Sequence, residues 1–276
     1  MIEIKPIKAL DSEITVPGSK YIANRVLLLA ALAGGISRIK NVPNNEDINA
    51  TIEALKKFGI NINKKNNGVI INGSNGNLAA PNEKIDVRNS GTLMRLIIGF
   101  ASLADGKTAI TGSERIKQRP IIDLLKGLSN LGINCKSVNN GFPPVEIIGG
   151  TLNGGTTKIK GNVSSQFISS LLIISPYAKN DVEIIVENDM VSKNYVDMTI
   201  DLMQKFGVNV KRDNYRKFRV KAGQKYSAKS YAIPADWSSA NYFLAAAAIV
   251  PGKIKATGLD LSQKGEAEFT GILKKM

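Results

Sequence analysis

The sequence lacks histidine and has a single cysteine, Cys135, among its 276 residues. Ser–His and Cys–His nucleophile systems are therefore excluded, and so is an internal disulfide bond. The common zinc sites, which need several cysteine or histidine ligands, are excluded as well, and we predict no metal ion and no other cofactor. Any chemistry must therefore depend on lysine, arginine, carboxylate, hydroxyl and backbone groups.

Long apolar runs and aromatic residues are also scarce. The longest apolar stretch, residues 243–250, is far shorter than the ~20 residues that a membrane-spanning helix needs. The first residues lack the apolar core of a secretory signal peptide, so we predict a cytoplasmic protein and no membrane partner. Aromatic residues make up 6% of the chain and are not interleaved with basic residues, which disfavours nucleic acid as a partner.

Basic residues are in excess, with 37 Lys and Arg against 23 Asp and Glu and a formal net charge of +14. Such a charge favours anionic partners. Charge alone leaves open whether the partner is a nucleic acid or a small substrate that carries phosphate and carboxylate groups. The remaining composition, 43% apolar and 22% charged, is typical of a folded chain with one or two domains.

An internal repeat organises the chain. Three segments each consist of a helix end, a glycine and a short alternating strand, and the three glycines are Gly59, Gly132 and Gly207. Glycine at this position suits the left-handed residue that ends a helix. Before each segment come a strand, a small polar turn, an apolar helix and another strand. Each unit is therefore predicted to be β-α-β-α-β-β, and the strand at Ile14–Val16 is predicted to open the first unit.

The first helix of each unit is apolar on nearly all sides, most clearly over residues 26–33. Helices of this kind are buried, so we expect them to bundle inside with the sheets outside. A fourth unit begins near Lys229, with an apolar helix over Ala240–Val250, and reaches its second helix at Met276. We therefore expect three complete units, part of a fourth, and a chain that is a truncated piece of a longer protein.

Five blocks of small, polar and basic residues follow one another along the chain. They are residues 16–20 with Asn24 and Arg25, residues 89–95, residues 111–120, residues 163–167, and residues 191–193 with Tyr195. In this order and spacing the blocks resemble the signatures of the 5-enolpyruvylshikimate-3-phosphate synthase family. The resemblance implies an α/β (α+β) fold, the enolpyruvyl transferase-like inside-out barrel of β-α-β-α-β-β units. It also implies a division into residues 1–12 and 226–276 in an incomplete lobe and residues 13–225 in a complete one.

The resemblance also implies an activity and a binding site. The family transfers the enolpyruvyl group of phosphoenolpyruvate to the 5-hydroxyl of shikimate-3-phosphate and releases phosphate, a step of the shikimate pathway towards chorismate and the aromatic amino acids. The implied shikimate-3-phosphate contacts are Lys20, Tyr21, Arg25, Ser164, Ser165, Gln166, Ser192 and Tyr195. The implied phosphoenolpyruvate contacts are Lys20, Asn89, Gly91, Thr92, Arg119 and Gln166. Hydroxyl, amide and cationic groups at helix N-termini suit both anions.

The sequence departs from the family pattern at Tyr21 and Ala23, where the family commonly has hydroxyl residues. By resemblance, the acid and base residues of the family lie beyond Met276. No catalytic residue is therefore predicted in this chain, and the chain alone is expected to be inactive. The family is usually monomeric, but an uncovered fourth-unit helix is expected to make this chain self-associate or to leave its last residues poorly ordered.

Two alternatives share the fold. The enolpyruvyl transferase that acts on a UDP-sugar typically has Lys-Asn at the first turn and a reactive cysteine in the second unit. This chain has Lys20-Tyr21 there, and residues 111–120 contain no cysteine. An RNA 3'-phosphate cyclase-like module would use a catalytic histidine, which this sequence lacks. The sequence therefore favours the shikimate-3-phosphate reaction.

Overall fold

The computed structural model describes residues 6–260 and 264–276, except for the side chains of residues 264–266. A first strand, β1 (Leu10–Thr15), precedes the first unit. That unit contains α1 (Lys20–Leu32), β2 (Gly34–Lys40), α2 (Glu46–Lys57), β3 (Asn61–Lys65) and β4 (Gly68–Ser74). The second contains β5 (Leu78–Ala79), β6 (Ile85–Asp86), α3 (Gly91–Ala101), β7 (Ala104–Thr111), α4 (Glu114–Lys117), α5 (Ile122–Asn130), β8 (Asn134–Asn139) and β9 (Phe142–Gly149).

The third unit contains β10 (Gly155–Lys160), α6 (Ser165–Ile174), a 3-10 turn (Ser175–Tyr177), β11 (Val182–Glu187), α7 (Lys193–Lys205), β12 (Val210–Asp213) and β13 (Lys217–Val220). The last elements are β14 (Ser230–Ala232), α8 (Trp237–Ile249), β15 (Gly252–Thr257) and α9 (Lys264–Leu273). The repeat is confirmed in the second and third units. The three capping glycines, Gly59, Gly132 and Gly207, have φ of 82°, 92° and 94°, as the helix-ending role requires.

The apolar first helices form the interior, as predicted. Every residue of α3 is buried, and so is every residue of α1 from Ile22 to Leu32. The sheets lie outside them, and in each complete sheet a parallel pair of strands is joined to an antiparallel pair. The predicted inside-out α/β fold, with three complete units, the first of them completed by β14, and part of a fourth, is confirmed.

The buried helices begin earlier than their apolar runs. The apolar runs begin at Val26, Leu93 and Phe167, whereas α1, α3 and α6 begin at Lys20, Gly91 and Ser165. The first turn of each helix is polar, so the apolar pattern misses it. The consequence is that the polar turn residues lie on the helices themselves, at ends where backbone N–H groups lack partners within the helix.

Two strands are exchanged relative to the prediction. The strand predicted to open the first unit, here β1, pairs in parallel with β15, and β14 takes its place beside β2. The prediction was wrong because an alternating pattern identifies a strand but not its partner. Where the two segments cross, the Ser19 amide donates to the Pro234 carbonyl and the Asp236 amide to the Pro17 carbonyl, both at 2.9 Å. The division of the chain at residues 13 and 226 stays a prediction.

The fourth-unit helix α8 differs from the other first helices. Of its residues only Trp237 and Ala240 are buried, whereas Tyr242 is 80% exposed and Ile249 is 82% exposed. Its composition is as apolar as that of α1, but the described residues do not surround it. Within the described part of the chain, no helix is both long and apolar enough to cross a membrane.

Candidate active site

The N-terminal ends of α1, α3, α6 and α7 carry most of the predicted site residues. These helices pack on one another, α3 against α1 and α6, and α7 against α1 and α6. Ser90 and Ser164 cap α3 and α6 by accepting hydrogen bonds from the backbone amides of Leu93 and Gln166, each at 3.3 Å. Side-chain contacts join these helix ends into one polar region.

Two guanidinium groups meet at the first residue of α3. A Cβ atom added to Gly91 would lie 2.1 Å from Nη1 of Arg119 and 2.9 Å from Nη1 of Arg95. Arg95 Nη1 donates to the Gly91 carbonyl at 2.9 Å, and its Nε has no hydrogen-bond partner among the described residues. Burial, together with repulsion from Arg119, lowers the pKa of Arg95 to about 10.

This arginine pair is suited to an anion. No carboxylate pairs with Arg95 or Arg119 among the side chains that the structure describes. Two like charges near each other, one of them 6% exposed, are unfavourable without a counter-charge. A phosphate or carboxylate at this helix N-terminus would supply that charge and accept forked hydrogen bonds.

Thr92 and Gln166 connect α3 with α6 beside the arginine pair. The Gln166 side-chain amide donates to Thr92 Oγ1 at 3.1 Å. Asn89 accepts a hydrogen bond at 2.6 Å from Ser113, which precedes α4 and the loop that carries Arg119. Gly91, Thr92, Arg119 and Gln166 are therefore brought together, and Asn89 lies in contact with the segment that leads to Arg119.

Lys20 at the start of α1 forms an ion pair with Asp47 of α2, with 3.0 Å between Nζ and Oδ2. Partial burial lowers the pKa of the Lys20 ammonium, but the hydrogen bond and charge of Asp47 outweigh this effect. The resulting pKa lies above the usual 10.5. Lys20 therefore remains a cation at neutral pH and has 42% of its side chain exposed to a ligand.

Arg25 is turned into the protein. It is 1% exposed, and its Nε donates to Thr199 Oγ1 at 2.7 Å while Nη1 donates to the Tyr21 carbonyl at 2.9 Å. A longer hydrogen bond, 3.4 Å, joins Nη2 to Ser169 Oγ. Arg25 therefore links α1 with α6 and α7 in this structure.

Two tyrosine rings lie beside this arginine. The Tyr21 and Tyr195 ring centroids are 5.1 Å apart, and the Arg25 Cζ atom lies 5.9 Å from the Tyr195 centroid. Tyr21, Arg25 and Tyr195 thus form a second group of predicted site residues.

The serine positions predicted from the sequence are placed differently from one another. Ser165 is buried in the first turn of α6, and Ser164 is half-buried at its N-cap. Ser192 is exposed before α7, in the left-handed region at φ 53°, and its side chain makes no capping hydrogen bond. Ser164 and Ser192 are therefore accessible to a ligand.

Sequence reasoning missed three residues that shape these groups. Arg95 lies inside the block at residues 89–95, and its spacing of four residues from Gly91, which puts both on the same helix face, is the signal that identifies it. Asp47 and Thr199, the partners of Lys20 and Arg25, lie on the second helices of their units. No local signal marks those two residues, because each acts through a contact distant in sequence.

The fold and the site define an inside-out α/β protein of the enolpyruvyl transferase type, with anion-binding groups at its helix N-termini. Residues 4–276 match the sequence profile of EPSP synthase (3-phosphoshikimate 1-carboxyvinyltransferase). The chain belongs to the EPSP synthase family.

Individual relatives agree with this family. The chain is 40% identical to the 3-phosphoshikimate 1-carboxyvinyltransferase of Shewanella halifaxensis, over all of this chain and 66% of that protein. It is 43% identical to the enzyme of that name from Buchnera aphidicola, over 65% of its length. An EPSP synthase structure from Acinetobacter baumannii superposes with a TM-score of 0.83 at 28% identity, covering 98% of this chain and 60% of that one. The chain thus spans slightly less than two thirds of these relatives.

Proposed function

We propose that this chain carries binding groups for both substrates of the 3-phosphoshikimate 1-carboxyvinyltransferase reaction. In that reaction the enolpyruvyl group of phosphoenolpyruvate passes to the 5-hydroxyl of shikimate-3-phosphate, and phosphate is released. The observation that carries the proposal is the Arg95–Arg119 pair at Gly91, which lacks a carboxylate partner among the described side chains. The likeness to named 3-phosphoshikimate 1-carboxyvinyltransferases supports it.

Phosphoenolpyruvate would bind at the N-terminus of α3. Arg119 and Arg95 would hold its phosphate or carboxylate, and the absence of a side chain at Gly91 leaves room for the anion to approach the backbone. Gln166 and Thr92 would form one wall of this subsite, with Asn89 in contact with the adjoining loop. The same guanidinium groups would stabilise the negative charge of the departing phosphate.

Shikimate-3-phosphate would bind at the starts of α1, α6 and α7. Ser164, Ser165, Gln166 and Ser192 would donate to its phosphate and hydroxyl groups, and Tyr21, Arg25 and Tyr195 would lie at its other side. Lys20, at the start of α1, would contact both ligands as a point charge. The serine-capped helix ends support this assignment, because their free N–H groups favour phosphate.

Self-association and location belong to the same proposal. We infer that copies of this chain associate through the exposed side of α8, where Tyr242 and Ile249 present apolar surface. We also place the protein in the cytoplasm, where its small anionic substrates are expected. Neither a membrane nor a nucleic acid is part of the proposal.

Calorimetric titration of the purified chain tests the proposed ligands. Shikimate-3-phosphate and phosphoenolpyruvate should each bind, and a UDP-sugar and a short single-stranded RNA at physiological salt serve as matched negative ligands. Binding of the UDP-sugar in place of shikimate-3-phosphate would favour the alternative reaction, enolpyruvyl transfer to a UDP-sugar. Binding of RNA alone would refute the small-substrate proposal.

A further inference from the structure

The residue after Lys20 is a tyrosine whose ring packs on Tyr195, the residue whose own ring lies against the buried Arg25. Tyr21 and Arg25 are four residues apart on α1 and therefore lie on the same helix face. The Tyr21 ring meets the Tyr195 ring at a centroid distance of 5.1 Å and a tilt of 54°, so the two tyrosines bridge α1 and α7. The Arg25 guanidinium lies against the Tyr195 ring.

Hydrogen bonds hold the Arg25 guanidinium in its buried position. Its donors engage Thr199, Ser169 and the backbone of Tyr21 on three sides, and it is 1% exposed. A ligand carboxylate that approached the guanidinium from the side of Tyr195 would have to enter the space that the Tyr21 and Tyr195 rings occupy. A half-buried aromatic ring on the first turn of a helix is far easier to displace than the helix itself.

We propose that Tyr21 is a specificity-determining residue: with Tyr195 it forms an aromatic lid over Arg25 that an incoming carboxylate must displace. The proposal rests on shikimate-3-phosphate being a ligand, because that substrate carries the carboxylate. The lid lowers the affinity for ligands that pair with Arg25, since part of the binding free energy is used to separate the two rings. The Lys20 ammonium, 5.5 Å from the Tyr21 centroid, stabilises the closed position of the ring.

The lid can be tested without any ligand by labelling arginines with phenylglyoxal and locating the adduct by mass spectrometry. In the unaltered chain Arg25 should be protected, with exposed Arg38 as the internal reference. Tyr21→Ser should increase labelling of Arg25 by about three- to tenfold, the range that an aromatic pair energy allows. Tyr21→Phe keeps the ring and should leave Arg25 protected. Unchanged labelling in both Tyr21→Ser and the second lid variant, Tyr195→Leu, would overturn the lid.

Shikimate-3-phosphate binding gives the second readout. Tyr21→Ser should bind this ligand about three- to tenfold more tightly than the unaltered chain, and the ligand should protect Arg25 from phenylglyoxal in that variant. Weaker binding by Tyr21→Ser would show that the ring is a direct contact and would overturn the lid. Increased labelling with no shikimate-3-phosphate binding by any variant would support the lid and refute the proposed substrate, so the two failures are distinguishable.

Discussion

Arg95 and Arg119 each bring a terminal guanidinium nitrogen to Gly91, the first residue of α3. The two arginines come from different elements, since Arg95 lies one helical turn into α3 and Arg119 follows α4. The two positive charges repel each other in the empty site, and a bound anion would offset this repulsion. Anion binding at Gly91 is therefore favoured by the relief of repulsion between the two guanidinium groups.

Arg119→Ala should weaken phosphoenolpyruvate binding and leave shikimate-3-phosphate binding nearly unchanged. A charge-assisted hydrogen bond contributes about 1.5–3 kcal/mol, which is about a tenfold to hundredfold change in dissociation constant. Calorimetry with each ligand measures the effect, and Arg115→Ala, an exposed arginine on α4, is the matched control. Loss of shikimate-3-phosphate affinity instead would show that the two subsites are wrongly divided.

Gly91→Ala should weaken phosphoenolpyruvate binding without lowering the free energy of unfolding. The new Cβ would lie 2.1 Å from Arg119 Nη1 and 2.9 Å from Arg95 Nη1, so the ends of both flexible side chains must shift, that of Arg119 the further. Alanine is favoured over glycine in a helix by up to about 1 kcal/mol, so the free energy of unfolding should not fall. Phosphoenolpyruvate binding should nevertheless weaken, because the displaced guanidinium no longer faces the helix end.

Urea denaturation and calorimetry check the Gly91→Ala prediction together. Gly271→Ala, a helical glycine in α9 whose Cβ would meet nothing within 4 Å, is the control and should change neither binding nor the position of an arginine. A Gly91→Ala variant that binds phosphoenolpyruvate normally would remove Arg119 from the site.

Tyr177→Phe should make the protein less sensitive to alkali. Burial raises the pKa of Tyr177 from 10.0 to about 12, and its hydroxyl donates to the Leu32 carbonyl at 2.6 Å. The folded state keeps the proton after the unfolded state has lost it. Its stabilising contribution is therefore complete below pH 10.0 and is lost as the pH rises towards about 12. A shift of this size corresponds to about 2.7 kcal/mol.

Urea titrations from neutral pH to about 12 test whether the stabilising contribution of Tyr177 falls as the pH rises. At neutral pH the variant should be less stable by about 1 kcal/mol, the contribution of one hydrogen bond. As the pH rises through the interval, the difference should shrink and then reverse. Tyr242→Phe, at an 80% exposed position, should show no such crossover. A constant difference between Tyr177→Phe and the unaltered protein at every pH would contradict the prediction.

Ile249→Lys should reduce self-association. Ile249 is 82% exposed on the apolar helix α8, so a charge there makes burial of this surface against a second copy unfavourable. Sedimentation velocity over a range of concentrations measures the association. Val138→Lys, at a 62% exposed site on β8, is the control and should behave like the unaltered protein. A chain that stays monomeric at every concentration would refute association through α8.

The sequence predicts the local parts of the fold well, for reasons visible in particular residues. Gly59, Gly132 and Gly207 mark helix ends because few other residues adopt positive φ readily. The buried helices are predicted because their apolar residues leave no polar face for solvent. The exchange of β1 and β14 could not be predicted, since both strands have the composition of an edge strand and either could pair with β2.

The candidate site is predictable to the same extent. The order of blocks identifies Gly91, Thr92, Arg119 and Gln166, and the structure brings these residues together. The orientation of Arg25 depends on Thr199, which is 174 residues away in sequence. A side chain whose partners lie on two helices of another unit has no local signature, so its direction can be learned only from the fold.

The strand exchange has a consequence for the growing chain during translation. Arg38 of β2 pairs with Ser230 of β14, and Leu10 of β1 pairs with Gly252 of β15. When the ribosome has finished the first unit, the outer edge of β2 has no neighbour, and β1 has nothing to pair with. Both edges stay open until residues 230–257 have emerged, and closing such distant pairs is slow. The nascent protein must therefore hold two unpaired strand edges, which are sites for wrong pairing, while the second and third units are made.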